Sequence, residues 1–263
     1  MKAALFSRLS LFAFCLFTFA FRRTPSLTVG LLPSAFRSSG VKLSAMPPKR
    51  LDDALYARGV RTLAKVDEDL ARVVRAHGTP PMWERKPGFA ALVLTILEQK
   101  ISLDSARAVF ERLLALAPSL TPDALLALDD SALRLAGFSR QKALYCKLAA
   151  RSIVEGHLDL DALESLDDDS ARASLVALKG VGPWTAEIYL LRCLRRSDAW
   201  PSGDLALQLA AREVKRLAAR PTPSELDALA ERWRPWRSVA ARILWNHYLN
   251  RARRAALDAS AEL

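Results

Sequence analysis

From Leu51 onward, apolar positions recur at helical spacing. Leu92, Ile96 and Leu97 share one face, as do Val109, Leu113 and Leu116. Alternating runs of Val, Ile, Thr and aromatic residues between Asn-Gly or Asp-Gly turns do not occur, so strands are not expected. Helix starts are marked by Thr121-Pro122, Ser131 and Thr222-Pro223, each a residue that can cap the free N–H groups of a first turn. Stops fall at Pro118, Gly137, Gly156 and Gly180. The pattern predicts helices over 52–76, 87–100, 103–116, 122–128, 131–136, 140–155, 159–165, 169–178, 183–196, 204–218, 224–233 and 236–250. Short connections imply an all-α body, with Gly78-Thr79-Pro80-Pro81 setting the first helix apart.

The first 50 residues are of another kind. Lys2 and Arg8 precede an apolar run from Leu9 to Phe21, too short to span a bilayer, and Thr18-Phe19-Ala20 offers small residues for cleavage. A Ser- and Arg-rich stretch without acids follows, as in a transit peptide. Together these read as a two-part targeting leader for an organelle, a plastid by this composition. A mitochondrial presequence, or a start at Met46 and a nuclear protein, stay open. Once the leader is removed, no stable membrane association is expected.

The charge follows the same division. Lys2, Arg8, Arg22, Arg23, Arg37, Lys42, Lys49 and Arg50 face no acid, so of the formal +11 the body keeps only +3. Net charge is therefore no argument for a nucleic-acid partner, and the placement of the basic residues must decide. Cys15, Cys146 and Cys193 lack the spacing of a zinc site or an iron–sulfur cluster. His77, His157 and His247 form no ligand pair on one helical turn.

One segment carries chemistry. Leu178-Lys179-Gly180-Val181-Gly182-Pro183-Trp184-Thr185-Ala186-Glu187 lies between two helical runs. Its glycines permit a turn that side chains would obstruct. Free N–H groups beside a helix N-terminus suit a phosphate oxygen, and Lys179 adds a cation. This is a helix–hairpin–helix pattern, although a Gly-Val-Gly alone would also serve an ordinary helical hairpin. Some twenty residues on comes Trp200-Pro201-Ser202-Gly203-Asp204, opening another helix. Taken alone, Asp204 is an N-cap.

The hairpin, the Pro and Asp that follow it, Glu231-Arg232-Trp233-Arg234-Pro235-Trp236-Arg237-Ser238 with Trp245, and Ile96-Leu97-Glu98-Gln99-Lys100-Ile101-Ser102 resemble the helix–hairpin–helix/GPD superfamily of DNA glycosylases. Within it they are closest to 3-methyladenine DNA glycosylase II. The resemblance spans about residues 85–250. It implies two helical subdomains with a DNA-binding cleft between them, about 100–203 bearing the hairpin and about 51–99 with 204–263 forming the other.

The resemblance also implies roles. Asp204 is the catalytic carboxylate. Trp184 and Trp245 line a base pocket in which Ile188 takes the place of a further aromatic, while Trp233 and Trp236 are scaffold. Lys179, Gly180, Val181 and Gly182 grip the DNA backbone. Lys100 is the wedge that fills the gap left by a flipped base, unless it is a surface Lys at a helix end. The backbone carbonyls of Val176, Leu178 and Val181 are positions for a monovalent cation, Na or K, and no cofactor is otherwise required. Where bifunctional members carry a Schiff-base Lys, this chain has Trp184, which implies hydrolysis without strand cleavage. The implied partner of a monomeric protein is damaged double-stranded DNA. Arg140, Lys142 and Arg237 are phosphate or scaffold contacts.

Overall fold

The computed structural model describes residues 50–261, with side chains as far as 252. The leader, Cys15 and the targeting expectation built on them lie outside the described residues. Twelve α-helices follow one another: α1 (Asp53–Val66), α2 (Glu68–His77), α3 (Phe89–Leu97), α4 (Leu103–Leu116), α5 (Pro122–Ala127), α6 (Asp130–Leu135), α7 (Arg140–Val154), α8 (Asp168–Val176), α9 (Pro183–Arg192), α10 (Leu205–Val214), α11 (Pro223–Ala230) and α12 (Arg237–Ala261). No strand occurs among the described residues, and no helix among them is long and apolar enough to cross a membrane.

Side chains start most of these helices. Asp52, Asp67, Ser102, Thr121, Asp129, Ser139, Asp167, Asp204 and Thr222 each accept a backbone N–H of the first turn. The cap of α6 is Asp129, not Ser131, whose hydroxyl instead donates to Asp129. Two helices begin on glycine with no side-chain cap: α3 at Gly88 and α9 at Gly182. At α3 the Gly88 N–H donates to the Tyr189 hydroxyl at 3.0 Å.

Three expected elements differ in kind, while others differ in their ends: 183–196 and 204–218 stop at Arg192 and Val214, and 236–250 runs on to Ala261. The run 52–76 breaks at Asp67, which is extended (φ −143°, ψ 102°), ends α1 and caps α2. Local spacing does not disclose this break. It follows from the Asp67 carboxylate meeting Lys215 at 2.5 Å and the Trp233 indole N–H at 2.8 Å, both distant in the chain. The expected helix 159–165 shrinks to a 3₁₀ turn, Ala162–Glu164. The stretch 224–233 closes as α11 followed by a 3₁₀ turn at Glu231–Trp233.

α1, α2, α10 and α12 pack on one another, while α3 packs on α4, α7 and α9. The division expected at residue 99 therefore falls earlier, because α3 sides with the hairpin-bearing helices. The reason lies in its composition: Leu92, Val93 and Ile96 are wholly buried and only Ala90 and Leu94 are not, so it needs cover on every side. Each fully buried Leu or Ile contributes about 1.5–3 kcal/mol of transfer free energy.

Candidate active site and nucleic-acid interface

α8 ends on Ala177, and the chain turns through Leu178–Gly182 into α9. Gly180 has φ +94°, and a Cβ there would lie 2.1 Å from Cγ of Tyr145. No other residue type satisfies both conditions. Val181 is buried and its N–H donates to the Leu178 carbonyl at 3.0 Å, which locks the turn. Gly182 brings no capping oxygen and Pro183 brings no N–H. The N–H groups of Gly180, Gly182, Trp184 and Thr185 thus meet no acceptor among the described residues. They and the exposed Lys179 form a small positive concavity at a helix N-terminus.

The strap that leads to α10 is fixed from below. Glu187 is buried in α9. One of its oxygens pairs with Arg172, and the other accepts the Trp200 N–H at 2.7 Å. Burial pushes the Glu187 carboxyl above its ordinary value, and Arg172 opposes that shift. Trp200 meets Trp233 edge-on at 5.5 Å. The Asp204 N–H then donates to the Pro201 carbonyl at 2.9 Å, which turns the chain into α10.

Asp204 caps α10 through Oδ1, which accepts the Leu207 N–H at 2.8 Å. The same carboxylate accepts two indole N–H groups: Trp245 to Oδ1 at 3.0 Å and Trp184 to Oδ2 at 2.9 Å. The N-cap and the cluster expected around it are therefore one arrangement. α9, α10 and α12 each supply a member, so the carboxylate sits where the two groups of helices meet. No Lys or Arg is in ion-pair contact with it among the described residues.

The two tryptophans differ in access. Trp184 is half-buried, whereas Trp245 is 6% exposed and carries the Arg192 guanidinium over its ring at 5.6 Å. Arg192 lies 3.7 Å from Glu98, and Glu98 pairs in turn with Arg85. Burial lowers the Arg192 pKa, while Glu98 and, less, Asp204 oppose the shift. Ile188 is only 2% exposed and belongs to the core. It stands one turn after Trp184 on α9, but the packed side of that helix claims it rather than an open pocket.

Lys100 is exposed in the turn between α3 and α4, with φ +58°. For a residue with a Cβ this left-handed conformation costs about 1–2 kcal/mol. Backbone of this kind persists only where its surroundings over-determine it. Lys142 donates to the Leu97 carbonyl at 2.6 Å and so finishes α3. Arg237 pairs with Asp198 at 2.9 Å. Both are scaffold, as are Trp233 and Trp236, buried at 0% and 4%. Arg140 is exposed at the first position of α7.

The spacing of motifs missed Arg192, Glu98 and Glu187 as parts of the site's frame. Their only signal in the sequence is a charge set inside an otherwise apolar helical run, as in Ile188-Tyr189-Leu190-Leu191-Arg192. Cys146 and Cys193 are buried thiols, which burial pushes up to about 12.

A hairpin that frees its N–H groups, followed by a carboxylate at the head of the next helix, defines a class of DNA-handling fold, and sequence comparison identifies it. Residues 93–235 match the profile of the HhH-GPD superfamily base excision DNA repair proteins, and the chain belongs to that family. It is 28% identical over 190 residues to DNA-3-methyladenine glycosylase 1 of Schizosaccharomyces pombe, covering 70% of this chain and 83% of that one. It is 30% identical over 125 residues to DNA-3-methyladenine glycosylase 2 of Escherichia coli, covering 48% of this chain and 41% of that one. Among solved structures, the S. pombe 3-methyladenine DNA glycosylase in complex with abasic DNA superposes with a TM-score of 0.67 at 27% identity, covering 72% of this chain and 95% of that one. An 8-oxoguanine glycosylase/lyase of Clostridium acetobutylicum shares the fold, with a TM-score of 0.64 at 17% identity.

Proposed function

We propose that this protein is a monofunctional DNA glycosylase that hydrolyses the N-glycosidic bond of alkylated bases of the 3-methyladenine and 7-methylguanine type. The observation that carries the reading is the Asp204 carboxylate, oriented by two indole N–H groups and left without a cation. Alkylation at N3 or N7 makes the base cationic and a good leaving group. The C1′–N bond breaks, its electron pair goes to the base nitrogen, and positive charge develops on the sugar. Asp204 stabilises that charge and takes a proton from the water whose oxygen bonds to C1′. The product is a free base and an abasic site.

The remaining residues position the substrate. The N–H groups of the hairpin, with Lys179, hold a backbone phosphate independently of sequence. Trp184 offers an indole face to the flipped cationic base, a contact worth about 0.5–2 kcal/mol. Trp245 holds Asp204 rather than the base. Lys100 fills the vacated gap with its stem and reaches outward with its ammonium. A sodium or potassium ion would fit the carbonyls of Val176 and Val181, which accept no hydrogen bond among the described residues, and that of Leu178, which accepts one. It would add positive charge beside the phosphate.

Trp184 bears no amine able to form a Schiff base, which supports hydrolysis without lyase chemistry. The test is base release from duplexes carrying 3-methyladenine, 7-methylguanine, hypoxanthine or uracil, with wild type and Asp204→Asn side by side. Release of the methylated bases by the wild type, lost in the variant and without strand nicking, is expected. Equal release by both proteins overturns the assignment of Asp204, and nicking without heat or alkali overturns the monofunctional reading.

A further inference from the structure

The two residues that close α3 are tied to different parts of the site. Glu98 reaches Arg85 and Arg192, and Arg192 lies over the ring of Trp245, which holds the reactive carboxylate. Gln99 reaches the hairpin. Its Nε2 donates both hydrogens, one to the Gly180 carbonyl at 2.9 Å and one to the Thr185 hydroxyl at 2.9 Å. These acceptors lie 81 and 86 residues away in the chain. One is in the glycine turn and the other in the first turn of α9.

Neither acceptor is free to drift. Gly180 is wedged against the Tyr145 ring at φ +94°, so its carbonyl has one direction. Thr185 is 2% exposed. Next to this tether comes Lys100 in its left-handed conformation, exposed and with no side-chain hydrogen bond or ion pair among the described residues to account for it. The backbone of the turn is thus set by what holds Gln99 on one side and by the Lys142 ammonium on the Leu97 carbonyl on the other.

We propose that Gln99 is a positioning residue that couples the hairpin's grip on the DNA backbone to the entry of Lys100 into the duplex. The proposal rests on the reading of the hairpin as a phosphate grip and of Lys100 as the gap-filling residue. A primary amide suits the task because it supplies two N–H donors in one plane, enough to span both acceptors at once. A phosphate docked on the free N–H groups of Gly180 and Gly182 takes its place from this fixed hairpin. Through the amide the hairpin also fixes the height and direction at which Lys100 leaves the turn. Without the amide the hairpin would still bind phosphate, but the wedge would no longer be in register with it.

The test compares two substrates under single-turnover conditions. In one the methylated base is paired within a duplex; in the other it stands opposite an abasic gap and is already unstacked. Gln99→Ala should lower the excision rate on the paired substrate about tenfold and leave the unstacked one within about twofold of wild type. Lys100→Ala should show the same selectivity, and the Gln99→Ala/Lys100→Ala double variant should be no slower than Lys100→Ala alone.

Equal losses on both substrates, or fully additive losses in the double variant, overturn the coupling while leaving the wedge in place. A Lys100→Ala variant that treats both substrates as wild type does overturns the wedge itself, and the coupling with it. Should Gln99→Ala fail to fold, Thr185→Val, which removes one of the two acceptors, carries the same comparison with a smaller expected ratio. A Thr185→Val ratio equal to that of wild type then overturns the proposal.

Discussion

Two aspartates in this protein are built alike and left in opposite states. Asp67 and Asp204 each cap a helix, and each carboxylate accepts indole N–H hydrogen bonds: one from Trp233 at Asp67, and one each from Trp184 and Trp245 at Asp204. At Asp67 the Lys215 ammonium completes the set at 2.5 and 2.6 Å, and the aspartate is 5% exposed. At Asp204 no such cation arrives, and the residue is half-buried. Arg192, whose charge Asp204 feels, is turned onto the Trp245 ring and toward Glu98. A carboxylate whose charge is already matched is structural. On the proposed reading, one held only by neutral donors has its strongest interaction still to make, with a positive charge that exists only while the sugar–base bond is breaking.

The comparison can be broken in order of effect. Asp204→Asn should lower base release by about a hundredfold or more with little change in melting temperature, because Asn can still cap α10. Asp67→Asn should do the reverse. It takes one of two carboxylates from a buried ammonium that Asp69 still holds at 3.0 Å, which costs about 1.5–3 kcal/mol of stability in chemical denaturation, while the protein that stays folded at low temperature keeps its rate. If Asp67→Asn proves as inactive as Asp204→Asn while fully folded, the contrast between the two sites is wrong. Trp184→Phe and Trp245→Phe each remove one N–H from the carboxylate and should each cost about tenfold in single-turnover rate. Trp184→Phe should also weaken discrimination in favour of cationic bases.

The smallest effect expected is on acid stability. Asp69, Asp129, Asp130, Asp167, Glu225 and Glu231 are held below their ordinary values, chiefly by hydrogen bonds to their carboxylates. Their contribution is complete above the ordinary carboxylate range and is lost as pH falls through the lower, folded values. Asp168 and Glu187 are raised by burial and act in the opposite sense. Denaturation midpoints should therefore decline modestly below pH 3.8, and an Asp167→Asn variant should show a shallower decline.

Some of this was legible in the chain and some was not, for definite reasons. The hairpin turn and the Asp204 cap are legible in local order, because a turn, a cap and a following helix are properties of neighbouring residues, whereas the site roles of Asp204 and Trp184 come only from the resemblance. The break at Asp67 is invisible locally, since the groups that demand it come from α10 and the Glu231–Trp233 turn. The burial of Trp245 and Ile188 was equally hidden, because helical spacing places a side chain on a face without saying what will cover that face. Lys100 is singled out in the sequence by the resemblance, but its left-handed conformation is not legible there, because it belongs to the tether beside it.

Gly182 shows what such a design gives up. A Cβ there would meet nothing within 4 Å and the φ of −92° suits any residue, so neither space at that atom nor backbone forbids an oxygen-bearing cap. Aspartate in its place would make α9 sturdier by about 1 kcal/mol, as at the other helix starts. It would also set a permanent anion where a passing one must settle. On the proposed reading this uncapped helix start is kept for a DNA phosphate, and a chain tuned for robustness alone would close it.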